Sequence, residues 1–156
     1  MIIRRYRPDD FDPVNDLWRR ARLHAYGDFQ ARKGHTVEED RDYFRGVVQV
    51  KNDLWVAEID ECPAAFMAIA RDFIEQLFVA PEHQRRGLGA ALLAHARGLS
   101  PSGLRLFTFQ FNANARAFYE KNGFKFLTVE DKGEDTRAMY FDLMPLANYQ
   151  AASAKR

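Results

Sequence analysis

The sequence of 156 residues is poor in the features that mark secreted, membrane and metal-binding proteins. Cys62 is its single cysteine, which excludes an internal disulfide and a secreted disulfide scaffold. The first residues lack the apolar core of a signal peptide, and no apolar run reaches membrane-spanning length. The four histidines show no metal-ligand spacing, and a net charge of +1 argues against a dedicated nucleic-acid-binding protein. We expect a cytoplasmic protein that binds no metal, membrane or nucleic acid.

Hydrophobic residues make up 47% of the chain, which is enough to form the core of one folded domain. Hydrophobic periodicity predicts elements in the order β-α-α-β-β-β-α-β-α-β-β. We expect a single domain over residues 1–147, followed by a short polar tail over 148–156. The strands that flank the third helix should be parallel by the crossover rule, and the others form antiparallel meanders. This pattern predicts an α/β protein with a mixed, mostly antiparallel sheet.

Several helix ends carry recognisable residues. The helix that begins at Phe11 is expected to end at Gly27, because glycine commonly stops a helix. Thr36 opens a capping box for the second helix. Asn112 is a good N-cap for the last helix, and Gly123 is expected to end it in a left-handed conformation.

The most informative segment is Gln84-Arg85-Arg86-Gly87-Leu88-Gly89, which lies between an apolar strand pattern and a helical pattern. A helix start offers unpaired backbone N–H groups and the positive end of a dipole. Glycine removes side chains that would hold a phosphate away, and arginine adds forked, charged donors. The segment therefore predicts a pyrophosphate site.

Three kinds of pyrophosphate site contain glycine-rich segments of this type. A Walker A loop requires a Lys-Ser or Lys-Thr pair, which the sequence lacks here. A dinucleotide fold requires three glycines directly after the strand and an acid on the next strand. Only Gly87 and Gly89 match, the gap after Val79 is too long, and Thr108-Phe109-Gln110 contains no acid. Coenzyme A is the third possibility.

Two ordered motifs support coenzyme A. The run from Ile74 to Gly89 contains the loop pattern Q/R-x-x-G-x-G/A and resembles the GNAT superfamily of acyl-CoA-dependent N-acetyltransferases. A second pattern of that superfamily, N-x-x-A-x-x-F-Y-E-K-x-G-F, follows downstream. The residues that match it are Asn112, Ala115, Phe118, Tyr119, Glu120, Lys121, Gly123 and Phe124.

The resemblance implies a single-domain GNAT-like fold with a central, splayed pair of parallel strands, and acetyl-CoA as co-substrate. The backbone of the strand before the loop would hold the pantetheine arm, and the helix start would hold the pyrophosphate. The residues expected to bind the cofactor are Leu77, Phe78, Val79, Gln84, Arg85, Arg86, Gly87, Leu88, Gly89, Ala90, Asn112, Ala115, Phe118, Tyr119 and Lys121.

Two residues are catalytic candidates. Tyr119 shares a helix face with Asn112 and Ala115, and the resemblance makes it the general acid that protonates the leaving thiolate. Glu75 is a carboxylate in a mostly apolar strand, which suits a general base or an anchor for the substrate amine. A solvated strand edge or an arginine partner would also explain it. Strict alternation places Glu75 and Phe78 on opposite faces of the strand.

The expected reaction is acetyl transfer from acetyl-CoA to a primary amine of a small molecule or peptide, by direct attack in a ternary complex. The alternative is a non-catalytic CoA-binding sensor or interaction module with the same fold. Tyr26 and Phe29 are candidates for the acceptor pocket. The acid-rich loop from Glu130 to Asp135 either steers a cationic amine or is a solvated hairpin loop. A monomer and a homodimer are both compatible with the sequence.

Overall fold

The computed structural model describes residues 1–142, so the predicted tail over 148–156 and the end of the predicted domain lie outside the described residues. The chain forms two compact units. The first unit comprises residues 1–70 and 74–95, and the second comprises, among the described residues, 71–73 and 96–142.

The described elements follow the predicted order, with one additional short helix before the second strand. The strands are β1 Ile2–Arg5, β2 Asp53–Ile59, β3 Cys62–Ala70, β4 Phe73–Val79, β5 Leu104–Phe109, β6 Lys125–Glu130 and β7 Arg137–Asp142. The helices are α1 Phe11–Lys33, α2 Val37–Tyr43, α3 Gln49–Lys51, α4 Leu88–Leu99 and α5 Ala113–Lys121. A π-helical turn, Phe44–Val48, joins α2 to α3, and short 3-10 turns occupy Pro8–Asp10, Pro81–His83 and Gly133–Asp135.

The predicted end of the first helix at Gly27 is confirmed in part. Tyr26, whose φ and ψ of −152° and 54° are not helical, interrupts α1 beside that glycine, and a second helical segment then continues to Lys33. This segment ends at Gly34, which has a φ of 68° and whose N–H donates to the Gln30 carbonyl at 3.2 Å. A left-handed C-cap strongly favours glycine.

The predicted cap of the second helix is confirmed. The Thr36 hydroxyl accepts a hydrogen bond from the Glu39 N–H at 3.1 Å, which satisfies one of the free donors at the start of α2. The helical path then runs through the π-turn to Lys51. Phe44 and Val48, at the two ends of that turn, are completely buried. The two ends of the turn are therefore anchored in the core, while Arg45 and Gly46 between them are exposed.

The first unit is built on the strand order β1-β2-β3-β4. β2 pairs antiparallel with both β1 and β3. Alternate residues of β2, Leu54 and Val56, face a core that α1 completes with Val14, Leu17 and Trp18. Burying each such side chain contributes about 1.5–3 kcal/mol. Phe78 of β4 packs against the same core and stacks on Phe66, with ring centroids 6.1 Å apart.

The second unit carries the strand order β5-β7-β6, with β7 antiparallel to both of its neighbours. β6 and β7 thus form an antiparallel hairpin around the acid-rich loop. Gly123 follows α5 with a φ of 94°, which confirms its predicted left-handed conformation. A Cβ atom there would meet the Asp142 carboxylate at 3.5 Å, an ordinary van der Waals contact, so the backbone conformation and not the available space favours glycine. Arg97 binds that same carboxylate at 2.6 Å.

Candidate active site

The glycine loop joins β4 to α4 in the first unit. It contains two left-handed residues, Arg85 with a φ of 61° and Gly87 with a φ of 83°. Alternating backbone conformations of this kind turn successive N–H groups toward one side and create a concave anion site. The residues from Gln84 to Gly87 are exposed, whereas Leu88 is only 2% exposed. The Leu88 side chain therefore belongs to the core, which leaves its backbone N–H as the group that a phosphate would meet.

Side chains before the loop attach it to the rest of the first unit. Arg86 donates a hydrogen bond to the His83 Nδ1 atom at 2.9 Å. His83 therefore contacts the loop and is also partly exposed to solvent. Glu82 binds Arg20 of α1 at 2.7 Å, and Arg20 also binds Asp16 at 2.7 Å. The hydrogen bond from Arg20 holds the pKa of Glu82 below its ordinary value. The loop thus has a charged connection to α1.

Glu75 of β4 is half-buried and makes a defined hydrogen bond. The Asn52 amide donates to its Oε2 atom at 2.6 Å, and the same amide nitrogen donates to the Val48 carbonyl at 3.0 Å. Glu75 is therefore neither a freely solvated edge residue nor simply one half of an arginine pair. Asn52 is a site residue that the sequence reasoning missed, because it lies 23 residues away and belongs to no motif.

Phe78 and Glu75 make different contacts from the same strand. Phe78 packs against the core cluster that contains Val48, and Glu75 binds the Asn52 amide, which also binds the Val48 carbonyl.

The aromatic pair predicted for the acceptor pocket lies at the bend of α1. The rings of Tyr26 and Phe29 meet edge to face with centroids 5.9 Å apart. Phe29 is 6% exposed, so most of its surface packs inside the protein. Burial raises the pKa of the Tyr26 phenol to about 12, which keeps it protonated at neutral pH. The structure brings the two residues together, and their contact with an acceptor stays a prediction.

A buried ion cluster near this bend was also missed by the sequence reasoning. Asp40 of α2 accepts hydrogen bonds from Arg19 and Arg22 of α1, each at 2.7 Å. The Arg22 guanidinium also lies over the Trp18 ring, 3.9 Å from its centroid. The cluster ties α2 to α1. No sequence signal marks it, since charged residues at such spacings are normally solvated.

The residues predicted from the second motif lie on α5 in the second unit. The Asn112 Oδ1 atom accepts from the Ala115 N–H at 3.1 Å, which confirms the predicted N-cap. Asn112 and Ala115 are half-buried and Tyr119 is 8% exposed, as one shared helix face requires. Phe118 is half-buried, and Lys121 is exposed.

Tyr119 is held in place by aromatic packing. Its ring lies 5.7 Å from that of Phe124 and 6.4 Å from that of Tyr140. The buried Tyr140 hydroxyl accepts from the Arg116 Nε–H at 2.9 Å and donates to the Glu120 carboxylate at 3.0 Å. Burial raises the pKa of Tyr140. Two residues of α5 are thus bonded to β7, which orients the helix that carries Tyr119.

The candidate residues divide between the two units. Glu75, the glycine loop, Tyr26 and Phe29 belong to the first unit, and the α5 residues belong to the second. Within residues 1–142, no group of three or more His, Cys, Asp or Glu side chains is arranged to hold a metal ion. None of the helices in that range is long and apolar enough to cross a membrane.

Comparison with known proteins identifies relatives over most of the chain. A family model described as an acetyltransferase (GNAT) domain matches residues 51–126. The chain is 31% identical over 143 residues to the uncharacterized N-acetyltransferase YafP of Escherichia coli K12, covering 89% of each protein. It is 32% identical over 126 residues to the peptidyl-lysine N-acetyltransferase YjaB of Salmonella typhimurium, covering 79% of this chain and 82% of that protein.

Two solved structures have a similar fold. The apo form of YjaB from Escherichia coli superposes with a TM-score of 0.70 at 26% identity, and the match covers 93% of this chain and all of that one. The crystal structure of PH1933 from Pyrococcus horikoshii also superposes with a TM-score of 0.70, at 17% identity, over 93% of this chain. The predicted α/β fold with a mixed sheet is therefore confirmed.

Proposed function

The chain belongs to the GNAT family of acyl-CoA-dependent N-acetyltransferases, and we propose that it transfers an acetyl group from acetyl-CoA to a primary amine by direct attack in a ternary complex. Relatives named peptidyl-lysine N-acetyltransferases favour the ε-amine of a lysine in a protein or peptide as the acceptor. The observation that carries the proposal is the arrangement of β4: an ordered carboxylate, Glu75, precedes a left-handed anion loop on the same strand-loop-helix segment.

The glycine loop would bind the donor's pyrophosphate. The backbone N–H groups of residues 87–90 and the start of α4 favour negative charge, and Arg85 and Arg86 supply forked donors beside them. By the family resemblance, the backbone of Leu77 to Val79 would hold the pantetheine arm, and Asn112 would contribute from α5. No covalent enzyme intermediate is needed, since the acyl group arrives already activated as a thioester.

The chemistry requires proton transfers at the amine and at the leaving thiolate. Glu75 would accept a proton from the substrate ammonium, directly or through water, which frees the nitrogen lone pair. The nitrogen would then form a bond to the acetyl carbon while the carbon–sulfur bond breaks, and the departing thiolate would take a proton from the Tyr119 phenol. The nitrogen would lose its second proton to the resulting phenolate, directly or through water, which gives the neutral amide and restores Tyr119, and Glu75 would release its proton to solvent. Positioning of the two substrates supplies most of the remaining acceleration.

A thiol-release assay over lysine peptides and small amines tests the reaction itself. We expect turnover on lysine peptides. Binding of acetyl-CoA without turnover on any amine would instead favour the non-catalytic module.

Two variants test the roles. Tyr119→Phe should lower kcat by roughly a hundredfold, within the usual range for loss of a general acid, while acetyl-CoA binding is kept. Glu75→Gln should lower kcat and remove the acidic limb of the pH–rate profile. A Glu75→Gln enzyme that retains the wild-type acidic limb would exclude Glu75 as the base, and unchanged turnover in Tyr119→Phe would exclude the phenol as the acid.

A further inference from the structure

Asn52 connects the π-turn of the first unit to the proposed base. It lies between α3 and β2 with an extended backbone, at φ −128° and ψ 156°. Its Nδ2 atom donates both to the Val48 carbonyl at 3.0 Å and to the Glu75 carboxylate at 2.6 Å. Both partners are acceptors, which assigns this atom as the nitrogen of the amide. Each of its two hydrogens therefore has a defined acceptor.

The contact holds Glu75 from a rigid support. Val48 is completely buried and packs in the core with Phe44 at the other end of the π-turn. The Val48 carbonyl orients the Asn52 amide, and the amide in turn restricts the carboxylate to one rotamer. A hydrogen bond to a charged acceptor is stronger than one between neutral groups. Such support is what a base needs when its oxygen must face an incoming ammonium.

Asn15 provides an internal comparison. Its amide donates to the Phe11 carbonyl at 2.8 Å, the same bond to the residue four positions earlier that Asn52 makes to Val48. In both residues the Oδ1 atom is buried without a partner in the described part of the chain. The bond to a helical carbonyl therefore has a purely local role in Asn15. The additional carboxylate contact distinguishes Asn52.

We propose that Asn52 is a positioning residue that acts through Glu75, fixing its carboxylate in the orientation required to take the proton of the acceptor amine. This inference rests on the proposed role of Glu75 as the base. Asn52 itself exchanges no proton and forms no bond to the substrate.

A double-mutant cycle between Asn52→Ala and Glu75→Ala tests the inference. In the wild-type background, Asn52→Ala should lower kcat by about tenfold to a hundredfold, the loss expected for one hydrogen bond to a charged group, with little change in the KM for acetyl-CoA. In the Glu75→Ala background the same substitution should change kcat by less than about twofold, because the group it positions is already missing. Asn52→Leu keeps a similar shape without adding a charge and removes the donor, and should reproduce the loss of kcat.

Asn15→Ala is the matched control, because it removes a bond of the same local type. It should lower the Tm and leave kcat unchanged at temperatures where the protein remains folded. Equal losses of kcat from Asn52→Ala in both backgrounds would overturn the positioning role, since the residue would then act independently of Glu75. An unchanged kcat in Glu75→Ala would instead overturn the base role itself, and the inference with it.

Discussion

The conformation of Gly87 predicts that replacing it with alanine costs free energy through backbone strain alone. Gly87 has a φ of 83°, and a Cβ atom at this position would meet no other atom within 4 Å. Gly87→Ala therefore introduces no collision. An L-residue in the left-handed region costs about 1–2 kcal/mol, so the variant must either hold the loop under this strain or let the loop relax.

Each alternative has its own measurement. If the loop keeps its conformation, the strain lowers the Tm by roughly 2–8 °C, the range expected for 1–2 kcal/mol in a protein of this size. If the loop relaxes, binding acetyl-CoA must restore the strained form, and the dissociation constant should rise by roughly 5- to 30-fold. Thermal unfolding and calorimetric titration with acetyl-CoA together distinguish the two. A Gly87→Ala protein with wild-type Tm and wild-type affinity would refute this reasoning.

Gly98 is a matched control in α4. A Cβ atom there also meets nothing within 4 Å, but the residue lies inside a helix and its φ is not positive. Gly98→Ala should therefore stabilise the protein by roughly 0.5–1 kcal/mol, because alanine is the better helix former, and leave acetyl-CoA affinity unchanged. Neither Gly87 nor Gly98 has an atom within 4 Å of the added Cβ. Opposite effects of the two substitutions on stability would therefore show that backbone conformation causes the difference.

Two further predictions concern the dependence of stability on pH. Burial lowers the pKa of His95, whose ring lies 4.2 Å from that of Trp55, so the unfolded chain binds a proton more readily than the folded chain. The free energy of unfolding, measured in urea, should therefore fall as the pH drops below about 6.5, and this fall should be weaker in His95→Gln. Burial opposes ionisation of Asp10, but hydrogen bonds from Arg4 and the Arg7 N–H outweigh it and lower the pKa of Asp10. Its stabilising contribution is present above its unfolded pKa of about 4 and is lost as the pH falls through the lower folded value, a loss that Asp10→Asn should abolish.

Local signals explain which parts of the fold were predictable. The bounds of β4 and β5 match the sequence pattern because each is a short apolar run bounded by turn residues. Thr36 and Asn112 act as N-caps in the structure because a capping bond joins residues three apart and needs no tertiary partner. Gly27 correctly marked the break at Tyr26, because glycine is a poor helix former, but it did not predict the second helical segment that follows to Lys33.

Contacts between distant segments explain the rest. The bond between Asn52 and Glu75 spans 23 residues, and neither residue's neighbours indicate the other. The π-turn before Asn52 lengthens the helical path without any glycine or proline to mark it. Such features arise from tertiary packing and are visible only in the folded chain.

The difference between locally determined features and features set by tertiary contacts bears on how the acceptor amine can differ between proteins with this fold. The proposed donor site relies on backbone conformation, in Gly87 and the start of α4, and such conformations demand particular residue types at fixed spacing. The proposed acceptor side relies instead on side chains, namely Glu75 and those around the bend at Tyr26. Replacing such side chains would alter the amine that is bound while every residue of the glycine loop stays the same. The loop would therefore mark only the donor, whereas the acceptor has to be determined from the side chains that surround Glu75.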